Sequence, residues 1–248
     1  MKLWILGLAS ALLVLSNPEA RASVLLDFGS APQGPIGVYG GPNGTYTTGT
    51  INGVDITVQG SGFAPAGLHV PKIESNPYPV PVLSSVANFK PAGSGSPTVT
   101  FTIDFLGFKQ GVKDVSFTLF NVDADKKGHN LVQDVVTFQT AGLTLTGGKD
   151  DIVSGNTVTG TGASGHPEST DVPGGDVTVH SGNLPLHQIV FTWTQLANPE
   201  KFLDEIAIGN ISFTPVPEVG QLVIGLVACL LGALWLHKNR RKRAHSIP

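Results

Sequence analysis

The feature that most constrains this chain is an alternation of period two. Val99, Phe101, Ile103 and Phe105 alternate with Thr100, Thr102 and Asp104, which places apolar side chains on one face of an extended strand and polar ones on the other. Val115, Phe117 and Leu119 repeat the pattern, as do Ile189, Phe191 and Trp193, and Ile211 with Phe213 closes the series. A helix, with its period of 3.6, cannot gather such residues on one side. Further strands are expected at 24–28, 51–58, 80–86, 133–139, 143–146, 156–160 and 176–180, with a helical turn hinted only at 198–205. Gly and Pro together supply 49 of the 248 residues and charged residues only 13%, so the exposed faces of a helical bundle could not be furnished. Hydrophobic residues make 41%, too many for general disorder. The expectation is an all-β, antiparallel, jelly-roll-like sandwich of about eleven short strands. Segments 29–49 and 147–175 read as long loops.

The two ends carry different signals. Lys2, an apolar run from Leu3 to Leu15, and small residues Ala20 and Ala22 around Arg21 read as a signal peptide over 1–22, with the mature chain starting at Ser23. Near the other end, residues 219–236 form 18 positions without a charge, enough at about 1.5 Å per residue to cover roughly 27 Å as a helix. Trp235 marks the interface, and Lys238, Arg240, Arg241, Lys242 and Arg243 form a basic stop within 237–245 that the positive-inside rule assigns to the cytoplasm. The sandwich would occupy 23–214 and the tail 215–248. Cys229, the single cysteine, lies in that apolar run, so the exported part has no disulfide and depends on its core.

Val216, Pro217 and Glu218 stand directly before the apolar run, which ends in the basic cluster. This order of elements resembles the PEP-CTERM sorting signal, with Val219 where that signal has its second proline. The resemblance covers 216–248. It implies a Gram-negative envelope protein of an exopolysaccharide-producing, biofilm-forming cell, exported through the inner membrane and held there by the tail. An exosortase-type transpeptidase would then recognise the motif and release the ectodomain from the periplasm to the cell surface or matrix.

Enzymatic motifs are weak. Gly160-Thr-Gly162-Ala-Ser-Gly165 has dinucleotide-loop spacing but is followed by no helix-forming sequence, and Gly147-Gly148-Lys149 lacks the hydroxyl that would hold magnesium in a P-loop. There is no H-E-x-x-H pair and no G-x-S-x-G elbow. The best chemical candidate is Asn121, Asp123 and Asp125 ahead of Gly128, with Asn130 and Asp134 close behind, since alternating oxygen side chains in a glycine-containing loop suit calcium. Lys126 and Lys127, and the lack of a later bidentate glutamate, favour a solvated turn there. A second calcium candidate joins Asp27 of the first strand with Asp204 and Glu205 before the last, by analogy with jelly-roll carbohydrate-binding modules.

Between Ser23 and Glu218 there are 17 acidic against 8 basic residues, a balance of −9, which excludes nucleic acid as a partner. Tyr39, Tyr46 and Tyr78 lie in Gly/Pro-rich segments as candidate glycan contacts, against the simpler reading of loop packing. The function these features suggest is a non-catalytic surface or matrix protein associating with exopolysaccharide. A jelly-roll hydrolase and an unprocessed single-pass membrane protein are the alternatives.

Overall fold

The computed structural model describes residues 22–41, 43–65, 67–75, 78–92, 96–127, 130–161, 175–196, 203–218, 227 and 230–235. They belong to two compact units, Ser23–Pro215 and a second comprising the two ends of the chain. In the second unit, residues 230–235 are helical, and no helix among the described residues is long and apolar enough to cross a membrane. The expected signal peptide and most of the 219–236 segment lie outside the described residues.

The Ser23–Pro215 unit is built from strands. In chain order they are β1 (Val24–Leu26), β2 (Gly34–Pro35), β3 (Thr45–Thr47), β4 (Asp55–Ser61), β5 (Lys72–Glu74) and β6 (Val82–Asn88). Then come β7 (Thr98–Asp104), β8 (Val112–Phe120), β9 (Ala124–Lys127), β10 (Asn130–Phe138), β11 (Leu143–Thr146) and β12 (Asp151–Ser154). The last are β13 (Thr157–Gly160), β14 (Val177–Ser181), β15 (Gln188–Leu196), β16 (Leu203–Ile208) and β17 (Ile211–Pro215). They form two antiparallel sheets. The first runs β1-β17-β8-β16-β6-β5-β2, with β14 on β8 and β11 beyond it; the second runs β12-β13-β10-β15-β7-β4-β3, with β9 on β10.

The alternating residues face inward from both sheets into one core. Phe191 of β15 stacks on Phe101 of β7 with centroids 4.8 Å apart and touches Phe138 of β10 at 5.0 Å. Phe89 packs edge-on against Trp193 at 4.6 Å. Because β7 and β15 are paired Phe101 to Phe191 and Val99 to Trp193, inward residues of one strand lie opposite inward residues of the next, and the core is continuous across the sheet.

Several expectations change. Leu203–Glu205, expected in a helical turn, belong to β16, because Ile206 and Ile208 bury on the core side and Glu205 with Ala207 on the other; residues 198–202 lie outside the described set. The expected loop at 29–49 contains a 3₁₀ turn at Phe28–Ser30 and the strands β2 and β3. The expected loop at 147–175 contains β12, which forms a hairpin with β13, the strand expected at 156–160, through a reversal at Gly155 with φ +61, a value that suits glycine. The edge strands β2, β3 and β12 hold two to four residues each, too few to display a period.

Candidate metal centre

Three carboxylates converge inside the sandwich. Asp134 lies on β10 in the inward register of Val136 and Phe138, and Asp204 lies on β16 of the opposite sheet in the inward register of Ile206. Asp123 sits between β8 and β9, and its carbonyl accepts the Asp134 N–H at 2.9 Å. One oxygen of each carboxylate lies within 4.8 Å of the others. All three side chains are buried, with exposures of 1% to 6%.

Fixed donors orient them. Trp193 Nε1 donates to Asp134 Oδ1 at 2.7 Å and the Asp123 N–H to Asp134 Oδ2 at 3.4 Å. The Glu205 N–H donates to Asp204 Oδ1 at 2.8 Å, and Gln195 Nε2 donates to Asp204 Oδ2. Burial, followed by the charge of Asp123, pushes the Asp134 carboxyl up to about 7 against the opposing Trp193 bond. Burial, then the charges of Asp134 and Asp123, raises Asp204 well above the carboxylate range. Half-buried Asp151 is pushed up to about 6, by burial first and by Asp150 and Asp123 after it.

Magnitudes decide what such a cluster can be. Two like charges at 4.8 Å repel by about 3.5 kcal/mol at an effective dielectric of 20. Three such pairs approach the whole stability of a domain, about 5–15 kcal/mol. The three carboxylates therefore need either protons or a cation. Calcium takes six to eight oxygens, and the donor set, hard carboxylates held by hydrogen bonds from Trp193, Gln195 and backbone, is of the kind it accepts.

The site takes Asp123 and the nearby Asp134 from the first expected calcium group and Asp204 from the second. Asp123 and Asp204 meet, while the remaining companions do other work. Asn121, at φ +65, donates through Nδ2 to the Glu205 carbonyl at 2.7 Å and pins the approach of Asp123. Glu205 points to the other face of its sheet, where Tyr78 donates to its Oε1 at 2.8 Å. Asp27 accepts the Gly29 N–H at 2.9 Å as the cap of the 3₁₀ turn and is not part of the cluster. Asp125 lies on β9, paired with Val132 of β10, and its side chain is outside the described set. Asp134 completes the trio. Its signal was an aspartate in the inward register of an apolar strand, where an unpartnered charge would be too costly to keep.

The tyrosine trio does not form a platform. Tyr46 and Tyr78 are buried at 3% and 7% exposure, Tyr46 in the main core and Tyr78 against Phe120, whereas Tyr39 is 51% exposed. Of the dinucleotide-like motif, Gly160 ends β13 and Gly162–Gly165 lies outside the described residues.

Gly160 has its own task. A Cβ there would lie 2.2 Å from the Asp123 carbonyl oxygen, a backbone atom that cannot step aside alone. Gly160→Ala should therefore displace Asp123, lower stability by about 1–3 kcal/mol, and weaken any thermal stabilisation by calcium. Differential scanning calorimetry with and without calcium checks both effects, and an unchanged melting curve would contradict them.

No family model matches the chain, and no curated protein matches it. Among solved structures it is similar to the K2 cleaved adhesin domain of Lys-gingipain (Kgp), at 15% identity over 78% of this chain and 98% of that one, with a TM-score of 0.31.

Proposed function

We propose that this chain is an exported, non-catalytic surface or extracellular-matrix protein. Its jelly-roll-like sandwich holds calcium at Asp123, Asp134 and Asp204, and it associates with exopolysaccharide. The observation that carries the non-catalytic reading is the closure of the acidic cluster. A carboxylate pair that performs acid–base chemistry must touch its substrate, but here the carboxylates are buried between two sheets behind Trp193 and Gln195. A closed ligand set of this kind suits an ion that ties the sheets together, since Asp134 and Asp204 come from opposite ones.

Export and sorting rest on the ends of the chain. The signal peptide delivers the protein, and the tail, with Val216, Pro217 and Glu218 ahead of residues 219–236 and the basic cluster, holds it at the inner membrane until an exosortase-type transpeptidase cuts it. Intact-mass analysis of the surface fraction should find a chain starting at Ser23 and ending between Val216 and Val219. Full-length protein ending at Pro248 in that fraction would overturn the sorting part of the proposal and leave the membrane-anchored alternative.

A further inference from the structure

We infer that the outward face of the sheet built around β7 and β15 is a docking surface for a neutral, hydroxyl-rich polysaccharide. The inference rests on the reading of the unit as a surface module and assigns the contact to a place that no tyrosine occupies. Gln59, Thr100, Thr192, Thr137, Thr157 and Ser154 stand opposite one another on six successive strands. With neighbouring strands about 4.8 Å apart, this row is roughly 24 Å long. A second row, Thr47, Thr57 and Thr102, runs beside it two residues along the strands. The side chains of both rows are half-buried or exposed, and the hydroxyls of Thr137 and Thr157 are 3.2 Å apart, bonded along the row.

No member of either row is charged. The β-propensity of threonine explains its presence on these strands, and the six-residue row presents hydroxyls and one amide with no charge among them, although Asp55 and Asp104 stand further along β4 and β7 on the same face. On this sheet face Asp55 and Asp104 pair beyond the second row, and Thr47 of that row donates to Asp55. The six-residue row offers a donor, an acceptor and an apolar contact at each threonine, and covering that row, which holds no charged residue, strips no ion of its water. A neutral polymer with hydroxyls and C–H faces matches that chemistry. A polyanion would find no cation in the rows and would meet an acidic protein.

Affinity electrophoresis of the full chain in detergent, in gels cast with hydroxyethyl cellulose, dextran or alginate, tests the inference. The expected result is retardation in a neutral gel and none in alginate. Thr100→Val combined with Thr192→Val keeps the shape of the face and removes two hydroxyls, and should weaken retardation by roughly ten-fold. Thr100→Lys with Thr192→Lys should abolish it, and Tyr39→Ala should leave it unchanged. Retardation insensitive to both threonine pairs, absent from both neutral gels, or strongest in alginate would overturn the inference. Self-association broken by the lysine pair, without retardation, would assign the face to a second copy of the chain instead. Release of reducing sugar from a polymer that still binds through the threonine rows would overturn the non-catalytic reading while leaving the docking face intact.

Discussion

Raising the pH of the cation-free sandwich from about 4 to about 8 should lower its unfolding free energy by on the order of 4 kcal/mol, and calcium should reverse most of that loss. The sign follows from Asp134, whose folded-state value of about 7 lies above the ordinary 3.8. The native protein keeps a proton that the unfolded chain releases. This contribution is fully present below pH 4 or so and is lost as the pH rises through about 7. Asp204 and Asp151 are raised too and act in the same direction. For a domain of this size the fall corresponds to roughly 10 °C in melting temperature. Calcium at about a hundred times its dissociation constant adds about 2.7 kcal/mol, and its effect should be largest at high pH, where the carboxylates are ionised. Asp134→Asn with Asp204→Asn should reduce the pH dependence to the part that Asp151 contributes and remove the calcium response together, because the amides keep the shape without the charge. Thermal melts of the Ser23–Pro215 unit in chelator and in millimolar calcium make the measurement. A flat profile in chelator, or a melting temperature indifferent to calcium at pH 8 or so, would remove the cation from the account.

Phe191→Ala should cost about 3–5 kcal/mol, the largest effect expected of any single side-chain truncation considered. The ring stacks on Phe101 and touches Phe138, so removing it leaves a cavity that three strands of one sheet cannot close without breaking register. Its neighbour Thr192 points outward from the same strand, and Thr192→Ala should cost no more than about 1 kcal/mol. Urea denaturation checks the contrast, with the Phe191→Ala midpoint falling at an unchanged slope. Equal costs at the two positions would mean that the alternation of β15 does not divide core from surface.

That alternation explains how much of the fold could be read beforehand. β7, β8, β15 and β17 were legible because each buries one face over at least two apolar positions, and the inward set of β7 and β15 is the core itself. β2, β3, β5, β9 and β12 were not, because a strand of two to four residues is held by its neighbour's hydrogen bonds more than by a pattern of its own. Leu203–Glu205 was misread for a related reason: β16 buries both faces, Ile206 and Ile208 into the main core and Ala207 into the smaller cluster with Tyr78, Val82 and Phe120, so the period vanishes. Tyr46 shows the converse error, since a tyrosine amid Gly and Thr looks like a loop residue until β3 turns it inward.

The sequence by itself determined the class of fold, through side-chain alternation and the shortage of helix formers. It also holds the contiguous residue patterns at the two ends on which the proposals of export and sorting rest, since such patterns need no folding to be read. Only the tertiary structure decided the candidate site. Asp123 and Asp134 are joined by the short β9–β10 excursion, but Asp204 arrives from the opposite sheet, placed there by the pairing of β16 with β6 and β8. Spatial convergence of this kind depends on strand register and on the packing of two sheets, and neither has a local trace in the chain. The same register aligns Thr100, Thr192, Thr137 and Thr157 into a row, whereas in the sequence they are merely the polar half of separate strands.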